Sequence, residues 1–520
     1  MHHLTKLVGS LFVLLLIVAC SKSEEKTSDS RPNIIFIMTD DHAEQAISSY
    51  GSRLIQTPNI DRIGEEGIRF NNSFVTNSIC APSRAVLLTG QYSHRNRLRD
   101  NRDEFDGSQM TFPKLLQAAG YQTALIGKWH LKTTPTGFDD WNILIGQGEY
   151  YNPIMVHNGD TSNLTGYTTD LITDFALENL RARDKDKPLA MLYHHKAPHR
   201  NWMPNLKHLD LFKEDLPVPA SLYDDYRNRS AAAKEQDMRI ADMFLSLDMK
   251  LQPGDYEKET GTGGNKNFDA EKAWANSYGR LTEEQKAGWD AHYDSVNQAF
   301  REAKLEGKAL TYWKYQRYMK DYLRCVVSVD ENIGRLLDYL DQEGLAENTL
   351  VVYTSDQGFY LGEHGWYDKR FMYEESLGMP LVMRYPSAIP GGQVTDAMAL
   401  NLDFAPTFLD FAGVSIPEAM QGHSLRPILT GAPTPNWRTS MYYHYYEYPH
   451  GWHDVKKHFG IRTTQYKLIH YYDDIDEWEL YDLDKDPKEL KNLYLTPEYA
   501  PIIDQLKFEL NKLREEYGDT

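Results

Sequence analysis

Two pairs of polar residues follow apolar runs in the 520-residue sequence, at positions where they could hold a metal ion. Asp40 and Asp41 come after the first run, and Asp356 and Gln357 come after another run much later in the chain. Adjacent carboxylates repel each other, and a hard cation such as calcium or magnesium removes that repulsion. A solvated loop would account for either pair alone, whereas two strand ends that converge would place all four side chains around one ion.

Cysteine usage singles out Cys80 as a candidate for covalent chemistry. The chain has three cysteines, and Cys325 lies in an amphipathic helical pattern that predicts core packing. An exported protein normally pairs its cysteines. If Cys20, which ends an apolar N-terminal run, carries lipid, then Cys80 has neither a cysteine partner nor an evident structural role. Cys80 precedes a helical run closed by Gly90, and a helix N-terminus stabilises negative charge. Arg84, one turn along, could reach the same point, although a thiol nucleophile or a buried cysteine would fit the same pattern.

The first residues of the chain predict export and lipid attachment. Residues 11–19 carry no polar side chain and are too few to span a bilayer, which is typical of a signal peptide. The run ends at Cys20 in a sequence that resembles a bacterial lipobox. We therefore expect residues 1–20 to be a lipoprotein signal and residues 21–31 to be a polar tether. The predicted location is the outer membrane or cell surface, with the periplasm as the alternative. An ordinary signal peptide with a chance cysteine is the alternative to a lipoprotein signal.

The charge of the chain limits its partners. A net charge of −19 and a sequence pI of about 5.4 exclude nucleic acid as a natural partner, because phosphate binding needs a basic face. An anionic substrate would also be repelled at long range. A local cluster of lysine, arginine and histidine must therefore hold any such substrate.

Alternating helices and apolar strands predict an α/β protein with a large, mainly parallel or mixed sheet between layers of helices. The predicted strands cover residues 33–38, 123–126, 189–193 and 349–354, and the predicted helices cover residues 111–120, 171–183 and 313–343. Ligands of such sheets bind beyond the carboxyl ends of the strands. Both polar pairs stand at predicted carboxyl ends.

The remaining segments predict an insertion and a second domain. Residues 32–435 are expected to form the catalytic domain, with a polar and largely helical insertion at about 205–310. Residues 436–520 predict a smaller C-terminal subdomain, in which an antiparallel sheet is followed by a final helix from about residue 497 to 517.

One family accounts for the spacing of these motifs. Cys80-Ala81-Pro82-Ser83-Arg84, with the trailing Leu-Leu-Thr-Gly, resembles the sulfatase signature. Similar sulfatase blocks occur in the family's order at residues 32–41, 127–130, 197–199 and 354–358. The resemblance spans roughly residues 31–490. It implies an alkaline-phosphatase-like fold and a sulfuric ester hydrolase.

The resemblance also implies how the nucleophile and the metal are arranged. A separate formylglycine-generating enzyme would oxidise Cys80 to an aldehyde (3-oxoalanine), which hydrates. One hydroxyl would attack sulfur and expel the sugar alcohol, and the second would then release sulfate. The implied ligands of one Ca2+ are Asp40, Asp41, modified Cys80, Asp356 and Gln357, the last at a position where the family more often has Asn or His.

The remaining implied roles concern the sulfate group and the sugar. Arg84 would steady the formylglycine, Lys128, His130 and Lys369 would contact sulfate oxygens, and His199 would bind sulfate and protonate the leaving oxygen, with His195 as its competitor. Weaker candidates for sugar contact are His195, Arg200, Trp202 and His364. Core packing or a turn would explain Trp202 and His364 equally well.

The expected substrate is a sulfated polysaccharide or its oligosaccharides. Algal ulvan with rhamnose 3-sulfate, and glycosaminoglycan-type sugars with 6-sulfated N-acetylglucosamine, both remain open. Two other functions compete: a formylglycine-dependent phosphodiesterase or phosphonate monoester hydrolase, and a lipid-anchored protein that binds sulfated glycans without turnover.

Overall fold

A ten-stranded mixed sheet forms the centre of the molecule in the computed structural model, which describes residues 31–256, 259 and 267–520. Residues 1–30, with the predicted signal and Cys20, lie outside the described residues. The described residues form sixteen strands, of which ten make up this sheet and six belong to two smaller sheets. They are β1 (Asn33–Thr39), β2 (Ile68–Phe70), β3 (Ser73–Phe74), β4 (Gln122–Lys128), β5 (Asp140–Leu144), β6 (Ile154–His157), β7 (Asp160–Asn163), β8 (Leu189–His194), β9 (Thr349–Ser355), β10 (Leu381–Arg384), β11 (Gln393–Thr395), β12 (Ala399–Leu400), β13 (Ser440–Tyr445), β14 (His458–Thr463), β15 (Tyr466–Tyr471) and β16 (Glu477–Asp482).

The large sheet has the order β11-β2-β10-β9-β1-β8-β4-β5-β6-β7. Its five central strands, β9 to β5 in that order, are all parallel, and antiparallel pairings flank them on both sides. Strands β1, β8 and β9 at the centre are nearly continuous buried runs, as expected for strands whose two faces are both covered. The predicted α/β class with a mainly parallel, mixed sheet is confirmed.

Helices cover both faces of this sheet. They are α1 (Pro58–Glu65), α2 (Cys80–Thr89), α3 (Ser93–Asn96), α4 (Phe112–Ala118), α5 (Thr168–Ala182), α6 (Ala231–Glu235), α7 (Ala270–Gly279), α8 (Glu283–Ala303), α9 (Gly307–Gln342), α10 (Glu374–Leu377), α11 (Phe404–Phe411), α12 (Arg426–Leu429) and α13 (Ala500–Tyr517). Phe36 of β1 packs on Phe408 of α11, whose neighbours are α2 and α4. On the opposite face Tyr193 of β8 meets Thr173 of α5, which packs on α9.

The insertion is less helical than its polar composition suggested. Its second half contains α7 and α8, but residues 206–269 carry only α6 and short 3-10 turns where they are described. Proline, glycine and aspartate interrupt that half, so no amphipathic period becomes long enough for a stable helix. No strand occurs in the described residues of the insertion, as expected.

The C-terminal residues form the predicted antiparallel sheet, in the order β13-β14-β15-β16, with α13 packed across it. This sheet is fastened to the segment before α2. The backbone N–H of His444 donates to Thr76, and the Tyr443 hydroxyl accepts from the Ser78 N–H and donates to the carbonyl of Arg370. None of the described helices combines the length and hydropathy needed to cross a bilayer.

Candidate active site

The two predicted polar pairs meet at the carboxyl ends of β1 and β9. These strands are parallel neighbours, and Thr39 pairs with Ser355, so the residues that follow emerge side by side. Carboxylate oxygens of Asp40, Asp41 and Asp356 all lie within 4.8 Å of one another, and all three side chains are buried. The sheet register therefore brings together acids that are more than 300 positions apart.

The donor set at this point fits a divalent cation. Gln357 donates from Nε2 to Asp41 Oδ1 at 2.5 Å, while its buried Oε1 has no hydrogen-bond partner in the described part of the chain. Burial raises the pKa of Asp41 to about 6 against the opposing effect of Lys369. Three clustered carboxylates and an unpartnered amide oxygen are the hard ligands that calcium and magnesium prefer.

Cys80 is the first residue of α2 and lies against the acid cluster. Its Sγ is 3.4 Å from Asp40 Oδ1 and 3.8 Å from Gln357 Nε2. Burial raises the pKa of the Cys80 thiol to about 12, although Lys369 opposes the shift. A thiol nucleophile needs the opposite shift, because the thiolate is the reactive form. The environment of Cys80 thus disfavours thiol chemistry.

Arg84, one turn after Cys80 in α2, hydrogen-bonds to two partners at the acid cluster. Its Nε and Nη2 donate to Asp356 Oδ2 at 3.1 and 3.0 Å, and its Nη1 donates to the Lys128 carbonyl at 2.9 Å. The fully buried guanidinium therefore fixes one carboxylate of the acid cluster and the end of β4. In this structure its direct partner is Asp356 rather than Cys80.

Four further predicted residues surround Cys80 with nitrogen atoms. The Lys128 ammonium, at the end of β4, contacts the carboxylate of Asp40, and Lys369 Nζ lies 2.7 Å from Asp41 Oδ2. His199 Nε2 is 3.7 Å from the same Asp41 oxygen. His130 has a left-handed backbone (φ 58°) that turns it toward the same cavity. Burial, assisted by Lys128, lowers the pKa of both histidines well below the usual range.

A cavity of about 640 Å³ opens above this cluster. Its floor holds Cys80, His130, His199 and Lys369, and its wall combines the insertion with the C-terminal subdomain. Arg200 belongs to the wall: its guanidinium is bound at both ends by Asp248 at 2.7 Å and lies 5.5 Å from the ring centre of Trp452. Arg200 therefore lines the cavity, and its contact with a substrate stays a prediction.

Three other predicted sugar contacts lie outside the cavity lining. Trp202 is fully buried, and its indole packs in the core with its ring centre 4.4 Å from that of Tyr318 in α9. The ring centre of His195 lies 4.5 Å from that of Tyr193, which is on the face of the sheet that α5 covers. His364 accepts from Arg229 and approaches Glu375 at 3.3 Å in a buried polar cluster. Their packing excludes direct contact with a substrate in this cavity.

Several wall residues had not been predicted individually. Arg370 contacts Glu447, which joins the loop after β9 to the C-terminal subdomain. Lys196 points its ammonium over the ring of Tyr150 at 4.8 Å and is almost fully buried. Trp452 lines the cavity and lies in a stretch rich in aromatic residues and histidine. That composition is the sequence signal that indicates a sugar site at this stretch.

The sheet and the site beyond its parallel strand ends define an ester hydrolase of the alkaline-phosphatase-like class. The sulfatase family model matches residues 32–414, a model described as "N-sulphoglucosamine sulphohydrolase, C-terminal" matches residues 362–516, and the chain belongs to the sulfatase family. The prediction of a sulfatase is thus confirmed, and the enzyme hydrolyses sulfate esters.

Relatives differ widely in their similarity to this chain. An N-acetylglucosamine-6-O-sulfatase of Bacteroides thetaiotaomicron is 52% identical over 97% of this chain and 90% of its own length. A solved structure in complex with its substrate D-glucosamine-2-N,6-O-disulfate is also 52% identical, with a TM-score of 0.90 over 94% of this chain and 99% of the other. An ulvan-active sulfatase of Formosa agariphila is 24% identical over 95% of this chain and 83% of its own length.

Proposed function

We propose that the enzyme removes the 6-O-sulfate of N-acetylglucosamine or N-sulfoglucosamine units in glycosaminoglycan-type saccharides. The sugars named for the curated relative and for the solved structure, each 52% identical to this chain over nearly its whole length, support this substrate over ulvan-type rhamnose. We propose further that Cys80 acts as formylglycine and that the metal is one calcium ion. The observation that carries the mechanism is the position of Cys80, buried at a helix N-terminus against Asp40 and beneath a cavity lined with cationic groups.

The hydrate of formylglycine at position 80 would supply both halves of the reaction. One hydroxyl oxygen forms a bond to sulfur while the bond from sulfur to the sugar oxygen breaks. The second hydroxyl then loses its proton, the carbon–oxygen double bond reforms, and sulfate leaves with the first oxygen. Addition of water to the aldehyde carbon then restores the hydrate, so the water that the hydrolysis consumes attacks carbon and not sulfur.

The side chains around the cavity floor act on the charges that move in these steps. Lys128 and Lys369 lie against the carboxylates of the acid cluster and can bind the sulfate oxygens as charge accumulates on them. His199 lines the cavity beside Lys369 and can contact the sulfate group. Burial and Lys128 lower its pKa, so we propose that it holds a proton for the leaving sugar oxygen only once the anionic sulfate ester is bound. A calcium ion held by Asp40, Asp41, Asp356 and Gln357 Oε1 would supply positive charge at the attacking oxygen.

The modification is tested by comparing two preparations of the same chain. The protein is produced with and without a sulfatase-maturing enzyme, and the peptide that contains Cys80 is analysed by mass spectrometry. We expect sulfate release to rise in proportion to the aldehyde content. The Cys80→Ala variant, made under both conditions, is the control and should be inactive. Full sulfate release from protein whose Cys80 remains a thiol would falsify this mechanism.

The substrate is tested with a panel of defined saccharides. N-acetylglucosamine 6-sulfate and glucosamine 2-N,6-O-disulfate should be desulfated at position 6, whereas a rhamnose 3-sulfate saccharide should not. Phosphodiester and phosphonate monoester analogues are assayed in parallel. A larger kcat/KM for either phosphorus ester would reassign the enzyme to the competing hydrolase class. Binding of sulfated sugar without any turnover by the matured protein would favour the non-catalytic alternative.

We propose in addition that the enzyme is exported and anchored by lipid at Cys20. The apolar run that ends at this cysteine supports the proposal, and a sugar polymer outside the cell is the substrate such a location would serve. Metabolic labelling with a fatty acid should mark the wild-type protein and not the Cys20→Ser variant. Protease treatment of intact cells then distinguishes the cell surface from the periplasm.

A further inference from the structure

A second cavity of about 720 Å³ lies between the insertion and α9, in the described part of the chain. It shares no lining residue with the catalytic cavity. Its size is within the range of roughly 300–1,000 Å³ that small-ligand sites occupy. The assigned chemistry makes no use of it, so its lining has to be explained on other grounds.

Positive charge dominates this lining, although the whole chain carries a net charge of −19. One carboxylate, Asp215, lines the cavity, and it is already engaged by the Tyr312 hydroxyl at 2.9 Å and by Lys320 at 3.4 Å. The cationic side chains of the lining are Lys213, Lys308, Arg317, Lys320 and Arg324. The local charge is therefore the reverse of the global charge.

Beneath this cavity the protein buries three cations around one carboxylate, and two of these cations, Arg317 and Arg324, also line the cavity. Asp321 is fully buried and is approached by Lys250 at 2.6 Å, by Arg324 at 2.9 Å and by Arg317 at 3.7 Å. All three cations are at most 5% exposed. Burial and the neighbouring cations lower the pKa of Lys250, while Asp321 opposes the shift. Arg317 also donates to the Met249 carbonyl and to Asn297 Oδ1. Arg324 donates to the Leu211 carbonyl. Neutral oxygens therefore accept from both guanidinium groups, while three cations around one carboxylate keep the local formal charge positive.

The upper part of the cavity offers aromatic surfaces. Trp313 and Tyr312 stand on the first turns of α9, and Tyr223 faces them from the loop that precedes α6. The Lys308 ammonium lies 5.0 Å from the centre of the Tyr223 ring and has no carboxylate partner among the described residues. Aromatic faces beside cationic groups are suited to a ring compound that carries anionic substituents.

We propose that this cavity is a non-catalytic binding site for a sulfated saccharide, with sulfate groups directed at the cationic floor and rim and a sugar ring against the aromatic wall. The choice of a sulfated sugar over other organic anions rests on the proposed function. Such a site would hold a segment of the polymer on the enzyme while the catalytic cavity acts on another unit.

Binding stoichiometry tests the proposal on the full chain. The inactive Cys80→Ala protein is titrated by calorimetry at low ionic strength with the monosaccharide glucosamine 2-N,6-O-disulfate, which is too small to occupy both cavities at once, and with unsulfated N-acetylglucosamine. We expect two equivalents of the sulfated probe and much weaker binding of the unsulfated one. A single equivalent, or equal affinity for both probes, would overturn the proposal.

Matched substitutions then locate the second equivalent. In the same background, Lys308→Glu should weaken one of the two binding events at least about tenfold, because it reverses a charge at the rim. Lys185→Glu makes the same change at an exposed position outside both cavities and should leave both events intact. Tyr312→Ala should weaken the same event, whereas Tyr312→Phe keeps the ring and should not. Equal effects of Lys308→Glu and Lys185→Glu would contradict a defined site.

Turnover of a monosaccharide separates this proposal from the proposed function. In matured enzyme, Lys308→Glu and Tyr312→Ala should leave kcat and KM for N-acetylglucosamine 6-sulfate unchanged, because that substrate is too small to reach both cavities. Failure of the parent enzyme to act on this substrate would count against the proposed function alone. A loss of monosaccharide turnover in both variants would instead contradict a separate, non-catalytic site.

Discussion

The floor and the wall of the catalytic cavity are built in different ways. The floor, which includes Cys80 and Lys369, rests on residues that directly end or follow parallel strands. These are Asp40, Lys128 and Asp356, and contacts between buried groups fix them. The wall consists of side chains from the insertion and the C-terminal subdomain, among them Phe268 and Trp452, which pack on each other at 4.8 Å. We infer that the floor determines the chemical step and the wall determines which sugar is accepted.

The strongest test of this division removes the metal ligands of the floor. Asp356→Ala should lower kcat about 10³- to 10⁴-fold for every sulfate ester, because the metal is expected to contribute several kcal/mol and each 1.4 kcal/mol is a factor of ten. Exhaustive chelation of the wild-type enzyme should have a comparable effect, and added calcium should restore the rate. Sulfate release is measured by ion chromatography. Unchanged turnover after verified metal removal would contradict a metal-dependent floor.

A smaller loss is expected when one sulfate-binding cation of the floor is removed. Lys369→Ala should reduce kcat about 10²- to 10³-fold, the usual effect of deleting one group that stabilises charge in the transition state. The loss should be similar for a sulfated sugar and for a small aryl sulfate, since both present the same sulfate group. Lys488→Ala, at an exposed position outside both cavities, is the control. A loss restricted to the sugar substrate would show that Lys369 acts on the sugar and not on the sulfate group that both substrates share.

Substitution in the wall should separate the two substrates. Trp452→Ala should raise KM for N-acetylglucosamine 6-sulfate about fivefold, because an aromatic contact contributes roughly 1 kcal/mol beyond its buried area. Its kcat, and the kcat/KM of the small aryl sulfate, should change less than about threefold, whereas Trp452→Phe should retain most of the affinity. A fall in kcat for both substrates would show that wall and floor are not independent.

The smallest expected effect concerns the support of the wall. His453 is buried next to Trp452, with Nδ1 3.3 Å from Asp237 and Nε2 3.3 Å from Asp368. Although burial opposes it, Asp368 raises the pKa of His453 above its ordinary value. The stabilisation from this group is therefore complete below the ordinary histidine pKa and is lost as pH rises through the elevated pKa.

Thermal unfolding across that pH range measures the effect. The melting temperature of the wild-type enzyme should decline slightly more than that of His453→Asn as the pH rises from 6 to 8. The aryl sulfate kcat of the two proteins should remain alike at each pH. If the melting temperatures of the two proteins decline equally as the pH rises, His453 does not gain a proton on folding.

The same division between floor and wall explains what could be predicted from the sequence. Asp41 and Gln357 were identified because each closely follows an apolar strand, and the parallel arrangement of such strands brings their ends to one edge. Local pattern was sufficient there. The roles of these residues as ligands remain a prediction.

The wall depended on contacts that no local pattern contains. Arg370 reaches Glu447 across 77 positions, and nothing in either segment indicates the other. Trp202 was expected near the sugar because it follows His199, yet its indole turns toward Tyr318, which is more than 100 positions away. Whether an aromatic residue lines a cavity or fills a core is decided by its tertiary neighbours.

The burial of Cys80 has a consequence for the order of events during synthesis. The thiol is 1% exposed, and Tyr443 of the C-terminal sheet holds the backbone of Ser78 just before it. The C-terminal sheet is translated after α2, so this hydrogen bond cannot form, and we expect the thiol to be less enclosed, until that sheet has been made and has paired. An enzyme that oxidises Cys80 would have to reach it in this interval, and chains that fold first would remain permanently inactive.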